Sequence, residues 1–187
     1  MTSEKAKMLA GKAYDAWDDT LVADRMRAKS VCHLFNQADP TQLHPRMALL
    51  TSLLNISGQA HIEPVFFCDY GYNIHIGDHF YANHHLTIID VCEVNIGHHV
   101  LIGPHVMIAT AGHPIEPMAR RETEFGRPIN IGNDVWIGGN VSILPGVSIG
   151  DNCVIGAGAV VVKDIPANSV AVGNPCKVVK QVPLVEA

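Results

Sequence analysis

His113 stands between Gly112 and Pro114 at the start of a polar stretch, TAGHPIEPMARRETEFGRP, that runs over residues 110–128 and carries Arg120, Arg121 and Arg127. A backbone fixed on both sides holds such a ring in place. An imidazole near its ordinary pKa can take the proton of an attacking hydroxyl at neutral pH, help worth about 10²- to 10⁴-fold. A solvated loop histidine is the plainer reading of the same residue. The five cysteines, Cys32, Cys68, Cys92, Cys153 and Cys176, are an odd number without a C-x-x-C pair. They suggest neither a disulfide frame nor a zinc knuckle, and they read as buried thiols. No nucleophilic residue is singled out. Among the eleven histidines, His79 and His84 are five apart, but no third lies at a suitable distance upstream to complete a set of ligands. The expectation for a metal is therefore none.

The residues that could do chemistry must be positioned by the rest of the chain. Its 187 residues suffice for a single sizeable core, and 48% hydrophobic against 17% charged residues excludes disorder. The 16 glycines and 11 prolines favour many short strands over a helical bundle. Residues 1–57 read as a helical segment. Ser3 suits the cap of a helix through Met8, Leu9, Ala13 and Ala16, and Leu43, Met47, Leu50, Leu53 and Leu54 recur at helical spacing. Asp39-Pro40 and Leu21 to Asp24 are the expected breaks. Beyond residue 61 a six-residue period takes over. Ile131, Ile137, Ile143, Ile149, Ile155 and Val161 fall at every sixth position, and Val135, Val141, Val147, Cys153 and Ala159 stand four places after the first five. The same grammar shows in Ile96, Ile102 and Ile108, and two residues out of phase in Ile76, Ala82 and Ile88.

A sextet is too short for two strands and a reversal, so each must be one short strand and a corner. Three sextets close one triangular turn, and each apolar residue stacks on the one eighteen positions away. The period fails between Ile108 and Ile129, where a loop over 109–128 must project. A loop that interrupts a strict repeat is a natural place for function. The repeats alone are also compatible with a scaffold that has no chemistry.

The stretches AGKAYDAWDDTL, IEPVFFCDYGYNIHIGDHFYAN, TAGHPIEP, IGNDVWIGGNVSILPGVSIGDNCVIGAGAVVVKDIP and VGNPCKVV cover most of residues 5–180. On these motifs the chain resembles the maltose and galactoside O-acetyltransferase family of hexapeptide-repeat acyltransferases, and CDYGYNI is nearer the maltose branch. The resemblance implies a left-handed parallel β-helix over residues 58–187, ending in a short tail. It implies acetyl transfer from acetyl-CoA to a sugar hydroxyl by direct attack in a ternary complex, and a homotrimer with active sites between subunits. His113 then corresponds to the catalytic base, and Asn83, Asp69, Arg25 and Tyr81 to the acceptor side. Trp136, Gly139, Ala157, Val162, Lys163, Lys177 and Lys180 correspond to the coenzyme A side. Lysines at 177 and 180 stand where the family often has arginine, and Ala16 where the galactoside branch has an acid, leaving Asp15 or Asp18 to take its place.

Two other classes compete with this reading. One is an acetyltransferase acting on serine or an amino sugar, which the helical N-terminal segment disfavours. The other is a zinc-dependent prism that hydrates carbon dioxide. The pairs His79 with His99 and His85 with His105 fall at equivalent corners and read as surface residues. A net charge of −5 argues against nucleic acid as a main partner. The N-terminal residues hold no apolar run for a signal peptide or a span, which implies no membrane and a cytoplasmic address.

Overall fold

A computed structural model describes residues 2–183; residues 184–187 of the expected tail lie outside the described residues. Helices α1 (Glu4–Leu9), α2 (Asp19–Gln37) and α3 (Leu43–Thr51) come first. Ser3 does cap α1, accepting a bond from the Ala6 N–H, but the helix stops at Leu9 and does not run to Ala16. Gly11, at φ +66°, turns the chain away there. Leu21 to Asp24 is no break either. It lies inside α2, because Asp18 accepts from the N–H groups of Thr20 and Leu21 and starts the helix just before it. The helices lay Ala28, Cys32, Phe35 and Leu50 against the first turns of the repeat.

From Asn55 the chain winds as a parallel β-helix with three sheets as faces. Face I contains Asn55–Ile56, Ile74–Ile76, Val94–Ile96, Ile129–Ile131 and Ser148–Ile149. Face II contains Ala60–Ile62, Phe80–Ala82, Leu101–Ile102, Trp136–Ile137, Val154–Ile155 and Ser169–Val172, and Lys177–Gln181 closes it antiparallel. Face III contains Phe66–Cys68, Leu86–Ile89, Met107–Ala109, Ser142–Ile143 and Val160–Val161. The six sextet residues from Ile131 to Val161 are all buried, as are the residues four places after them. Each isoleucine or valine among them stabilises the prism by about 1.5–3 kcal/mol, since an inward residue meets the next coil rather than water.

Outward residues stack in columns, and the faces differ. Face I presents Asn55, His75, Asn95, Asn130 and Ser148. Face II presents Tyr81, Leu101, Trp136, Val154 and Val170. Face III presents Phe67, Thr87, Met107, Ser142 and Val160. One face is polar and two are largely apolar. The corners need left-handed backbone, supplied by Asn140, Asn152 and Asn168 and, in earlier coils, by His79, His85, His99 and His105. The rings of His79 and His99 stack at 4.8 Å, those of His85 and His105 at 4.5 Å.

Candidate active site

The repeat is interrupted at the corner joining face III to face I. The chain leaves the coil at Thr110, whose hydroxyl donates to the Ile89 carbonyl and accepts the Cys92 N–H. It returns at Arg127, whose N–H bonds the Thr110 carbonyl at 2.9 Å. Between them Ala111–Gly112 pairs antiparallel with Phe125–Gly126, so His113 emerges one residue beyond a short ribbon. Helix α4 (Pro117–Glu122) follows, started by the Glu116 carboxylate on the Met118 and Ala119 N–H groups. The N-terminal segment holds this loop down. Tyr14 and Glu124 exchange backbone bonds of 3.0 and 3.2 Å, and the Tyr14 hydroxyl donates to Glu124 Oε1 at 2.5 Å.

A cavity of 410 Å³ opens between the loop, the N-terminal segment and the coil, with His113, Asp69, Arg25, Asp15, Trp17 and Glu124 among its lining. His113 Nδ1 lies 3.4 Å from the Thr123 carbonyl and Nε2 lies 3.8 Å from Glu124 Oε2. A proton on Nδ1 directed at that carbonyl leaves the Nε2 lone pair free to act as a base, and Glu124 is placed to balance the imidazolium that forms. Burial raises the Asp69 carboxyl above its usual range, and the Arg25 guanidinium opposes this. Arg25 is itself fixed, donating to the Tyr70 hydroxyl and to the Ala16 carbonyl, both at 2.6 Å.

Beneath Asp69 lies Asp90, fully buried, whose carboxylate accepts the N–H groups of Asp69, Tyr70 and Gly71. Gly71 has φ +82°, and a Cβ there would meet Leu53 Cγ at 2.4 Å, so this turn admits only glycine. Of the two acids near Ala16, Asp15 lines the cavity while Asp18 is spent on starting α2.

The other candidate residues stand elsewhere. Asn83 follows Phe80–Ala82 at the corner between faces II and III, and its Oδ1 accepts the His84 N–H at 2.7 Å. Tyr81 and Trp136 share the outer column of face II, and Trp136 is 56% exposed. Gly139 and Ala157 lie at the same corner as Asn83 in later coils, where the Gly158 N–H bonds the Gly139 carbonyl at 2.9 Å. Lys177 and Lys180 pair with Val172 and Val170 at the end of face II. Val162 and Lys163 follow Val160–Val161 on the corner that carries Asp69, several coils away. One chain thus carries two groups. His113, Asp69 and Arg25 are brought together at one corner; Asn83, Tyr81, Trp136, Gly139, Ala157 and the two lysines belong to another.

Asp90, Glu124, Tyr14 and Trp17 are residues that spacing did not single out. For Asp90 a signal exists: it falls where the sextet phase slips between Ile88 and Ile96. Glu124 is one acid among several in a polar loop and gives none.

A parallel β-helix of six-residue repeats, broken by one histidine-bearing loop over a polar cavity, defines a hexapeptide-repeat acyltransferase. A family model described as the maltose acetyltransferase hexapeptide capping motif matches residues 7–58, and one for the bacterial transferase hexapeptide, six repeats, matches residues 128–163. The galactoside O-acetyltransferase of Escherichia coli K12 is 44% identical over 178 residues, covering 94% of this chain and 88% of that one. The crystal structure of a maltose O-acetyltransferase from Clostridium difficile 630 superposes with a TM-score of 0.96 at 48% identity, over 97% of this chain and 98% of that one. A galactoside acetyltransferase in complex with coenzyme A gives 0.94 at 42% identity, over 98% and 92%. The chain belongs to the maltose and galactoside O-acetyltransferase family.

Proposed function

We propose that this chain transfers acetyl from acetyl-CoA to a hydroxyl of a glucosyl or galactosyl sugar, with His113 as general base. The observation that carries this reading is the His113 ring, with Nδ1 towards the Thr123 carbonyl and Nε2 beside Glu124, in a cavity lined by Asp69 and Arg25. Nε2 takes the hydroxyl proton as the sugar oxygen bonds to the thioester carbonyl carbon. The carbon–sulfur bond then breaks, and the departing thiolate takes the proton from the imidazolium. Glu124 lowers the cost of the intermediate charge. No acyl-enzyme is needed, and all five cysteines are buried and unpaired. Free thiols also suit the cytoplasm, where we place the reaction.

The two separated groups on one chain support an arrangement in which each site joins two copies of a cyclic trimer. The corner bearing His113 then faces a neighbour's corner bearing Asn83, with coenzyme A along Trp136, Gly139 and Ala157 and its phosphates near Lys177 and Lys180. Val162 and Lys163 reach the cofactor from the first copy. The surface agrees with this: Ile115 is 93% exposed, and Phe67, Leu101, Trp136 and Met118 are each at least half exposed. Leu101 and Trp136 are neighbours on face II, an exposed apolar stripe that a second copy would cover. Coenzyme A in the galactoside acetyltransferase complex supports the cofactor assignment.

Thiol release from acetyl-CoA over glucose, maltose, galactosides, serine and an amino sugar tests the reading. Turnover with a sugar hydroxyl is expected. Turnover confined to serine or to an amino group, or none at all without coenzyme A binding, would overturn it.

A further inference from the structure

Trp17 lines the cavity that contains His113, Asp69 and Arg25, yet it is 82% exposed. A tryptophan is usually put to use for its large apolar surface, and this one faces water. Its backbone, by contrast, is held from both sides. The Trp17 N–H bonds Asp15 Oδ1 at 2.8 Å, and the Asp15 N–H bonds Glu4 Oε2 at 2.8 Å. On one flank the Ala16 carbonyl accepts from Arg25, and on the other Asp18 starts α2. Among the described residues no aromatic ring stacks on the indole and no cation lies over it. A rigid mount with an uncovered aromatic face at the mouth of a sugar-sized polar cavity is the form of a stacking platform.

We infer that Trp17 forms a second acceptor subsite, which stacks on the ring next to the sugar being acetylated. This rests on the proposed sugar acetylation and narrows its substrate class to acceptors with two rings, a disaccharide or an aryl glycoside. The polar depth of the cavity, with Asp69 and Arg25, takes the hydroxyl-rich reacting sugar. The apolar face of the second ring covers the indole at the rim, where water is displaced from both.

The test compares Trp17→Ala and Trp17→Phe with wild type on whichever matched pair wild type acetylates, glucose with maltose or galactose with an aryl galactoside. Trp17→Ala is expected to raise KM for the two-ring acceptor about tenfold, while KM for the monosaccharide and for acetyl-CoA stays within about twofold. Trp17→Phe restores most of the loss, since a smaller ring still stacks. Saturation-transfer NMR without acetyl-CoA should show the second ring contacted in wild type and not in Trp17→Ala. Equal changes for both acceptors would make Trp17 a purely structural residue. A lower particle mass by light scattering would make it a subunit contact, and either result overturns the subsite. Failure of wild type to acetylate any sugar refutes the underlying reading instead, and is seen before any variant is measured.

Discussion

The separation of His113 from Asn83 can be tested without a structure of the assembly. Face III joins their corners, and its strand Leu86–Ile89 spans about 13 Å at roughly 3.3 Å per residue. A reacting hydroxyl must lie within about 3 Å of the base, so an Asn83 that orients the same hydroxyl has to come from another copy. His113→Ala removes the base and should lower turnover by about two to four decades. Asn83→Ala should misalign the acceptor and lower turnover less, with a raised sugar KM. When the two variants are co-expressed in equal amounts, chains mix at random around the ring. A site is intact only where an Asn83→Ala chain supplies His113 and a His113→Ala chain supplies Asn83, a chance of about one half times one half. Thiol release should recover to about a quarter of the wild-type rate, whatever the number of copies in a closed ring. Separately purified variants mixed without exchange should show only their mean. If the co-expressed sample also shows no more than that mean, the two residues do not meet in a shared site.

Asp90 should give the protein a distinct pH dependence. Burial pushes its carboxyl up to about 7 against the bonds from Tyr70 and Gly71, so the folded chain keeps a proton that the unfolded chain loses near 3.8. Stability contributed by this group is full below about pH 4 and falls as the pH rises to about 7. Thermal melts of Asp90→Asn should lose that slope, while sitting lower throughout because the new amide meets the Gly71 N–H with a donor; an unchanged slope refutes the assignment. Ile137→Ala, at a fully buried inward position, should cost about 2–5 kcal/mol in denaturant unfolding. His75→Ala, on the polar outer column, should stay within about 0.5 kcal/mol. Replacing Lys177 and Lys180 together by Ala should raise KM for acetyl-CoA at low salt, and the difference should shrink towards 1 M salt, where the Debye length is about 3 Å.

The six-residue period made the prism legible because each inward residue obeys the same steric demand in every coil. Ile131 to Val161 could be assigned to the interior one by one. The N-terminal segment was read less well, since capping competes with propensity there: Asp18 sets the start of α2 and Gly11 the end of α1, and neither follows from apolar spacing. Of the cavity, His113 was visible because Gly and Pro flank it where the repeat fails. Asp69, Arg25 and Asp15 were reached only through the family resemblance, and Glu124 and Tyr14 not at all, because the partners come from distant stretches. Tyr14 reaches Glu124 across 110 positions, and Arg25 reaches Tyr70 across 45. Such pairings follow from where α2 lies on the coil, and no local pattern encodes that.

The loop sits where it does for a physical reason. A coil can be opened at a corner without breaking a ladder, since the strands on either side keep their partners: Met107–Ala109 still pairs with Leu86–Ile89, and Ile129–Ile131 still pairs with Val94–Ile96. An insertion within a strand would leave the coils above and below with unpaired N–H and carbonyl groups. The cost of the opening falls instead on Thr110, which bonds across to Ile89 and Cys92, and on Asp90, which ties the neighbouring turn. Asp90 therefore holds Asp69 and Tyr70, which line the cavity, from behind, while Tyr14 ties Glu124 into its lining. A change at Asp90 should then move Asp69 and the acceptor KM together with stability, whereas a change at Ile137, equally buried but away from the acceptor cavity, should move stability without the acceptor KM.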